Sequence, residues 1–121
     1  MDAKLQIDKA IGAHGMWKTR LKLAIDAGTS EFDPKKVETD NECDFGKWLY
    51  YDISPELKRS AFYKTIVQYH AEFHKEAARI LRLALAGKKE EAKNGMKGLS
   101  KFASISGSLT TNMMEWKKSL V

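Results

Sequence analysis

Cysteine is all but missing from this chain of 121 residues: Cys43 stands alone, so no disulfide can form within it. A small secreted domain stapled by disulfides is thereby excluded, and a reducing cytoplasm is the expected location. Proline is scarce, with Pro34 and Pro55 the only two. Long helices therefore meet few obligatory breaks. No apolar run is long enough to span a bilayer, and the N-terminus lacks the basic start and apolar core of a signal peptide. Histidine is equally sparing: His14, His70 and His74 are the three. No internal repeat or low-complexity tract appears.

What is present is helical in character. Ala, Leu, Lys and Glu are frequent, and no window alternates with period two strongly enough to argue for a sheet. The length suits one compact domain covering residues 1–121 and is too short for two. The net charge of +5 is uneven, with residues 29–54 carrying −4 inside an otherwise basic chain. The lysines are spread around helical surfaces without an Arg-rich or aromatic-interleaved patch, so no nucleic-acid partner is expected.

Apolar positions mark the elements. Ile7, Ala10, Ile11, His14, Trp17, Leu21, Ala24 and Ile25 recur at three- and four-residue steps, predicting a first helix from about Ala3 to Ala27 with Gly28 as its stop. Gly12 and Gly15 weaken that helix on either side of His14 and suggest close backbone packing there. Residues 29–40 read as a connector. Asp40 or Asn41 is the expected cap of a short helix carrying Cys43, Phe45, Trp48 and Leu49, ending near Tyr51 or Asp52. Ser54-Pro55 restarts the chain, with a break expected near Arg59-Ser60 and a long helix running to Gly87. A last helix is expected from about Lys89 to Leu120, kinked where Gly95, Gly98 and Gly107 weaken it. The predicted fold is all-α: a four-helix bundle with an additional short helix carrying the cysteine.

The four scarce residues are a candidate metal centre. Three imidazoles and one thiolate are a familiar ligand set for a closed tetrahedral zinc site. His70 and His74 lie one turn apart, so both rings can reach one ion. A lone histidine on an apolar stripe is more often a satisfied core residue, and a lone cysteine a small buried apolar one. Two adjacent buried histidines, however, compete for hydrogen-bond partners and repel when protonated, and a shared metal resolves both problems. Enzyme readings are weaker, so no catalytic residue is assigned. His70-Ala71-Glu72-Phe73-His74 is not the zinc-protease pattern, and no Glu-x-x-His pair of the di-iron type exists. A Cys/His redox enzyme stays open as an alternative, as does a purely structural, zinc-stabilised docking module. Asp40 and Asp44 are candidates to orient a ligand imidazole, and Trp17, Phe45 and Trp48 to wall the site. Met113, Met114 and Trp116 crowd one end of the last helix.

The segment Cys43-Asp44-Phe45-Gly46-Lys47-Trp48-Leu49 reads C-x-F-G-x-W-L. With Ala13-His14-Gly15-Met16-Trp17-Lys18 before it and His70-Ala71-Glu72-Phe73-His74 after it, the chain closely resembles the chemoreceptor zinc-binding (CZB) family. That resemblance implies His14, Cys43, His70 and His74 as zinc ligands on a homodimeric helical bundle. It further implies a bacterial cytoplasmic module that passes zinc or oxidant signals to an output protein or domain. In such proteins the Zn–Cys pair has been proposed as a switch responding to hypochlorous acid. The chain differs from the usual setting in carrying no output domain, so it is read as a stand-alone member or an excised piece. The Cys43 helix, short and with few apolar anchors, is the expected mobile element, released when its thiolate is oxidised.

Overall fold

The computed structural model describes residues 3–39, 43–98 and 100–120. Seven helices follow in order: α1 (Ala3–Ala27), α2 (Pro34–Glu38), α3 (Asp44–Lys47), α4 (Pro55–Lys58), α5 (Ala61–Leu85), α6 (Lys89–Asn94) and α7 (Lys101–Ser119). One turn of π-helix, Trp48–Asp52, continues α3. No described residue is in a strand. Among the described residues, no helix is long and apolar enough to cross a membrane.

The architecture is an all-α four-helix bundle. Its long members α1, α5 and α7 pack on one another, and α2 is a short fourth that lies on α5. Ile7, Leu21, Ile66, Phe73, Ile80, Leu109 and Trp116 are fully buried between the long helices. The additional short helix α3, with Cys43 at its N-terminus, bridges the bundle: Phe45 meets His14 of α1 and His70 of α5, and Trp48 meets Trp116 of α7.

The local chemistry explains most boundaries. Gly28 adopts a φ of 74° and donates its N–H to the Ala24 carbonyl, closing α1 in the left-handed conformation that glycine tolerates best. Gly87, at a φ of 77°, does the same after α5. Ser54 and Ser60 cap α4 and α5, so the break at Arg59-Ser60 is present. Three expectations need correction. The connector holds a real helix, because the Asp33 side chain accepts the Lys35 N–H, Pro34 takes the first helical position and Val37 is buried. The last helix is not kinked but interrupted, with turns at Gly95 to Gly98 and a fresh start at Ser100, whose hydroxyl caps Ala103; α7 then passes Gly107 unbroken. A Cβ at Gly12 or Gly15 would meet nothing within 4 Å, so these glycines serve no close packing inside the chain. The proposed caps Asp40 and Asn41, and Leu99 within the expected last helix, lie outside the described residues.

Candidate metal centre

His14 projects from the inner face of α1 because it shares the apolar stripe of Ile7, Ala10 and Leu21. His70 and His74 project from α5 on the stripe of Ile66, Phe73 and Ala77. Cys43 is the N-cap of α3, with extended backbone, and its Sγ accepts the Gly46 N–H at 3.3 Å. The capping atom is thus the thiol itself, in a place where Ser, Thr, Asn or Asp is usual. The three histidines are 6 %, 0 % and 3 % exposed, while Cys43 is only partly buried.

These four side chains meet. Each offers one donor atom, and the four atoms all lie within 4.8 Å of one another. Cys43 Sγ is 3.3 Å from His70 Nε2 and 3.6 Å from His74 Nε2, and the two Nε2 atoms are 3.1 Å apart. A zinc tetrahedron with about 2.0 Å to nitrogen and 2.3 Å to sulfur has ligand-to-ligand edges of roughly 3.3–3.6 Å. The cluster is therefore already near the size such an ion requires, and its donor set of three imidazoles and one thiol has the right softness.

The ring nitrogens facing away are fixed by backbone. His14 Nδ1 donates to the Ala10 carbonyl at 2.7 Å, and His74 Nδ1 donates to the Val37 carbonyl at 2.8 Å. An Nδ1–H held in this way leaves Nε2 with its lone pair turned into the cluster. Sequence reasoning proposed Asp40 and Asp44 for this orienting role. Asp40 is outside the described residues, and for His14 and His74 backbone carbonyls fill the role instead of Asp44. No residue type signals a backbone acceptor, and the Val37 carbonyl comes from a helix that the connector composition concealed.

Electrostatics favour neutral rings. Burial pushes His14 down to about 4, with nearby His74 adding to the shift and the Ala10 hydrogen bond opposing it. Burial pushes His70 down to about 2, reinforced by His14 and His74. At neutral pH both are unprotonated, the state a metal ligand needs.

The wall around the cluster is aromatic. Phe45 lies 5.9 Å from His14 and 5.3 Å from His70, Trp48 stacks on Phe45 at 5.8 Å, and Phe73 is 5.1 Å from His14. Trp17, expected beside the site, packs on Phe32 at 5.0 Å beneath the Arg20 guanidinium. Both rings line a groove of about 980 Å³ that opens on His14, Cys43 and His74. The Cys43 segment proves better anchored than its composition suggested, since Phe45, Trp48, Leu49 and Ile53 are all buried.

The family model for the chemoreceptor zinc-binding domain matches residues 14–81, a span that begins at His14 and includes Cys43, His70 and His74. No curated protein and no solved structure gives a match.

Proposed function

This chain belongs to the chemoreceptor zinc-binding domain family, and on that footing we propose that it is a single-domain zinc-dependent regulatory module whose ligands are His14, Cys43, His70 and His74. One observation carries the reading: four metal-binding side chains from three separate segments converge within 4.8 Å behind an aromatic wall. When bound, zinc supplies a positive centre that holds the Cys43 sulfur as thiolate and joins the three segments.

The chain's own residues divide the labour unequally. The Ala10 and Val37 carbonyls hold two imidazoles with Nε2 facing inward, and burial keeps His14 and His70 unprotonated. The histidines form a fixed frame on two long helices. Cys43 is the changeable member: it is the oxidisable ligand, it is partly exposed, and the groove brings solutes to it. Two-electron oxidation by hypochlorous acid or hydrogen peroxide converts the thiolate to a sulfenic acid, with chloride leaving from hypochlorous acid, or hydroxide, which takes a proton from solvent to become water, leaving from the peroxide. The neutral sulfenic acid is a poorer ligand and a poorer acceptor for the Gly46 N–H. The first turn of α3 then loosens, while Trp48, Leu49 and Ile53 keep the following turn seated. This local release is the signal, read as a homodimer by an output protein or domain in the cytoplasm.

The test is metal analysis joined to hydrogen exchange. One zinc per chain is expected, lost in Cys43→Ala and His74→Ala with helicity largely kept. Stoichiometric oxidant should speed exchange at Gly46 and Lys47 far more than at Leu49 to Ile53. A metal-free chain with a fast-reacting thiol would instead favour a Cys/His redox enzyme. Unchanged exchange with Cys43 oxidised would rule out the switch while leaving the zinc site intact.

A further inference from the structure

The segment that carries Cys43 does not continue as an α-helix. Past α3 the chain makes one turn of π-helix, Trp48–Asp52, a rare form that occurs mostly as single turns and often at functional sites. Its hydrogen bonds show the change of register. In an α-helix the Ile53 N–H would bond the Leu49 carbonyl. Here it donates to the Trp48 carbonyl at 2.8 Å. The Leu49 carbonyl accepts instead from the Tyr63 hydroxyl at 2.9 Å. A side chain of α5 thus takes the acceptor that an α-helical register would use.

The extra residue in this turn has a packing cause. Phe45 and Ile53, eight residues apart, are both buried. On an unbroken α-helix they would point about 80° apart, and one inserted residue brings them close to one line. The register also places the cysteine. With Ile53 seated, a one-residue change would move each Cα before it to its neighbour's place, about 3.8 Å away and about 100° round the helix. Cys43 Sγ lies 3.3 Å from His70 Nε2 and 3.6 Å from His74 Nε2, so a displacement of that size takes the sulfur out of the cluster. Tyr63 and His70 are seven residues apart on α5, near one face and about 10 Å apart along its axis. Cys43 and Leu49 are six residues apart, about 9 Å where the chain is helical. The Cys43 segment therefore meets α5 at two points of matching span, its sulfur at the histidines and its Leu49 carbonyl at Tyr63.

We propose that Tyr63 is a positioning residue for the metal centre: its hydroxyl holds the turn after α3 in π register and so sets where Cys43 reaches His70 and His74. The inference rests on the zinc-site reading above and adds the residue that gauges its cysteine. One rigid helix, α5, carries both the gauge and two of the ligands. The hydroxyl acts without the metal. The segment therefore keeps its register when the sulfur leaves the ion, and Cys43 returns to the same place.

The test uses cobalt(II) in place of zinc, because a thiolate ligand gives cobalt a charge-transfer band in the near ultraviolet. Tyr63→Phe removes only the hydroxyl. It should weaken cobalt binding about tenfold and diminish that band, with helical circular dichroism unchanged. In metal-free protein a maleimide should label Cys43 faster in the variant than in the wild type, and the chain has no other thiol. In a Cys43→Ala background the same substitution should leave the residual cobalt affinity unaltered. Equal losses with and without the thiol, or lost helicity, would make Tyr63 a general support of the bundle and overturn the positioning role. Unchanged binding or unchanged labelling would overturn it too. A wild-type chain that binds no cobalt would remove the metal reading itself, a failure visible without the Tyr63 variant.

Discussion

Cys43 Sγ sits between two demands, accepting the Gly46 N–H at 3.3 Å while lying 3.3 Å from His70 Nε2. Serine can meet the first demand and is a poor substitute for the second. In metal-free protein, Cys43→Ala should therefore be less stable than Cys43→Ser by about 1 kcal/mol, the usual worth of an N-cap. Both variants should fail to retain zinc. Urea unfolding with metal analysis separates the two roles, and equal stability of the pair would mean that the thiol does not cap α3. The histidines make a second claim at this scale. His14 is lowered to about 4 and His70 to about 2, against about 6.5 in the unfolded chain. As pH falls through 6.5 the unfolded chain takes up protons that the folded chain refuses, so stability drops. The loss runs from about pH 6.5 to 4 for His14 and continues towards pH 2 for His70. With both groups contributing, the metal-free protein should lose up to roughly 2–3 kcal/mol per pH unit below pH 6. Urea midpoints at pH 7, 6 and 5 measure it. His14→Asn should flatten the slope, and a slope unchanged by that substitution would show that His14 is protonated in the folded state.

Glycine illustrates how differently one residue type acts in different elements. Gly28 terminates α1 at a φ of 74°, where a side chain is strained whatever space surrounds it. Gly107 lies inside α7 on its exposed face, and a Cβ there would meet nothing within 4 Å. Gly28→Ala should destabilise by about 1–2 kcal/mol, and Gly107→Ala should stabilise by about 1 kcal/mol. Thermal or urea denaturation of the two variants should show opposite signs, and a destabilised Gly107→Ala would mean that α7 has a neighbour on that face. The contrast also marks what a sequence discloses. α1 and α5 were legible because their stripes are long, and their ends because Gly28, Ser60 and Gly87 carry unambiguous backbone chemistry. α2 was hidden because five residues give no periodicity, and its support comes from one cap and one buried side chain, Asp33 and Val37. The run from Lys89 to Leu120 kept a helical period across a gap, so the interruption showed only as weakened helix around Gly95 and Gly98. Met113 and Trp116, which the sequence showed only as crowding one end of the last helix, are buried in the chain's own core, whereas Met114 beside them is 49 % exposed. The four candidate metal ligands were legible for a different reason: they are so few that their types alone mark them. The carbonyls of Ala10 and Val37 were not, since an orienting backbone atom has no letter.

At the scale of the whole molecule, zinc held at the cluster would cross-link segments that the core already holds with unequal strength. α1, α5 and α7 meet through Ile7, Leu21, Ile66, Phe73, Ile80 and Leu109, none of which belongs to the cluster. α2 and α3 are short: α2 meets the cluster at the Val37 carbonyl, and α3 at the sulfur of its cap Cys43 and the ring of Phe45. His74 is thus held by one stretch of chain on both sides, with Val37 at Nδ1 and Cys43 near Nε2. A ligand bound only to the folded state raises stability in step with its concentration over its dissociation constant, about 3 kcal/mol at a hundredfold excess. Stripping the metal with a chelator should therefore lower the melting temperature while leaving most of the helical circular dichroism in place. Hydrogen exchange should accelerate between residues 33 and 47, and least in α5 and α7, because the long helices keep their apolar contacts when the cross-link is gone. The Glu38–Arg82 ion pair, 2.9 Å long and exposed, is too weak to hold α2 in place of the cluster. Global unfolding on chelation would show instead that the three long helices depend on the metal as much as the short ones do.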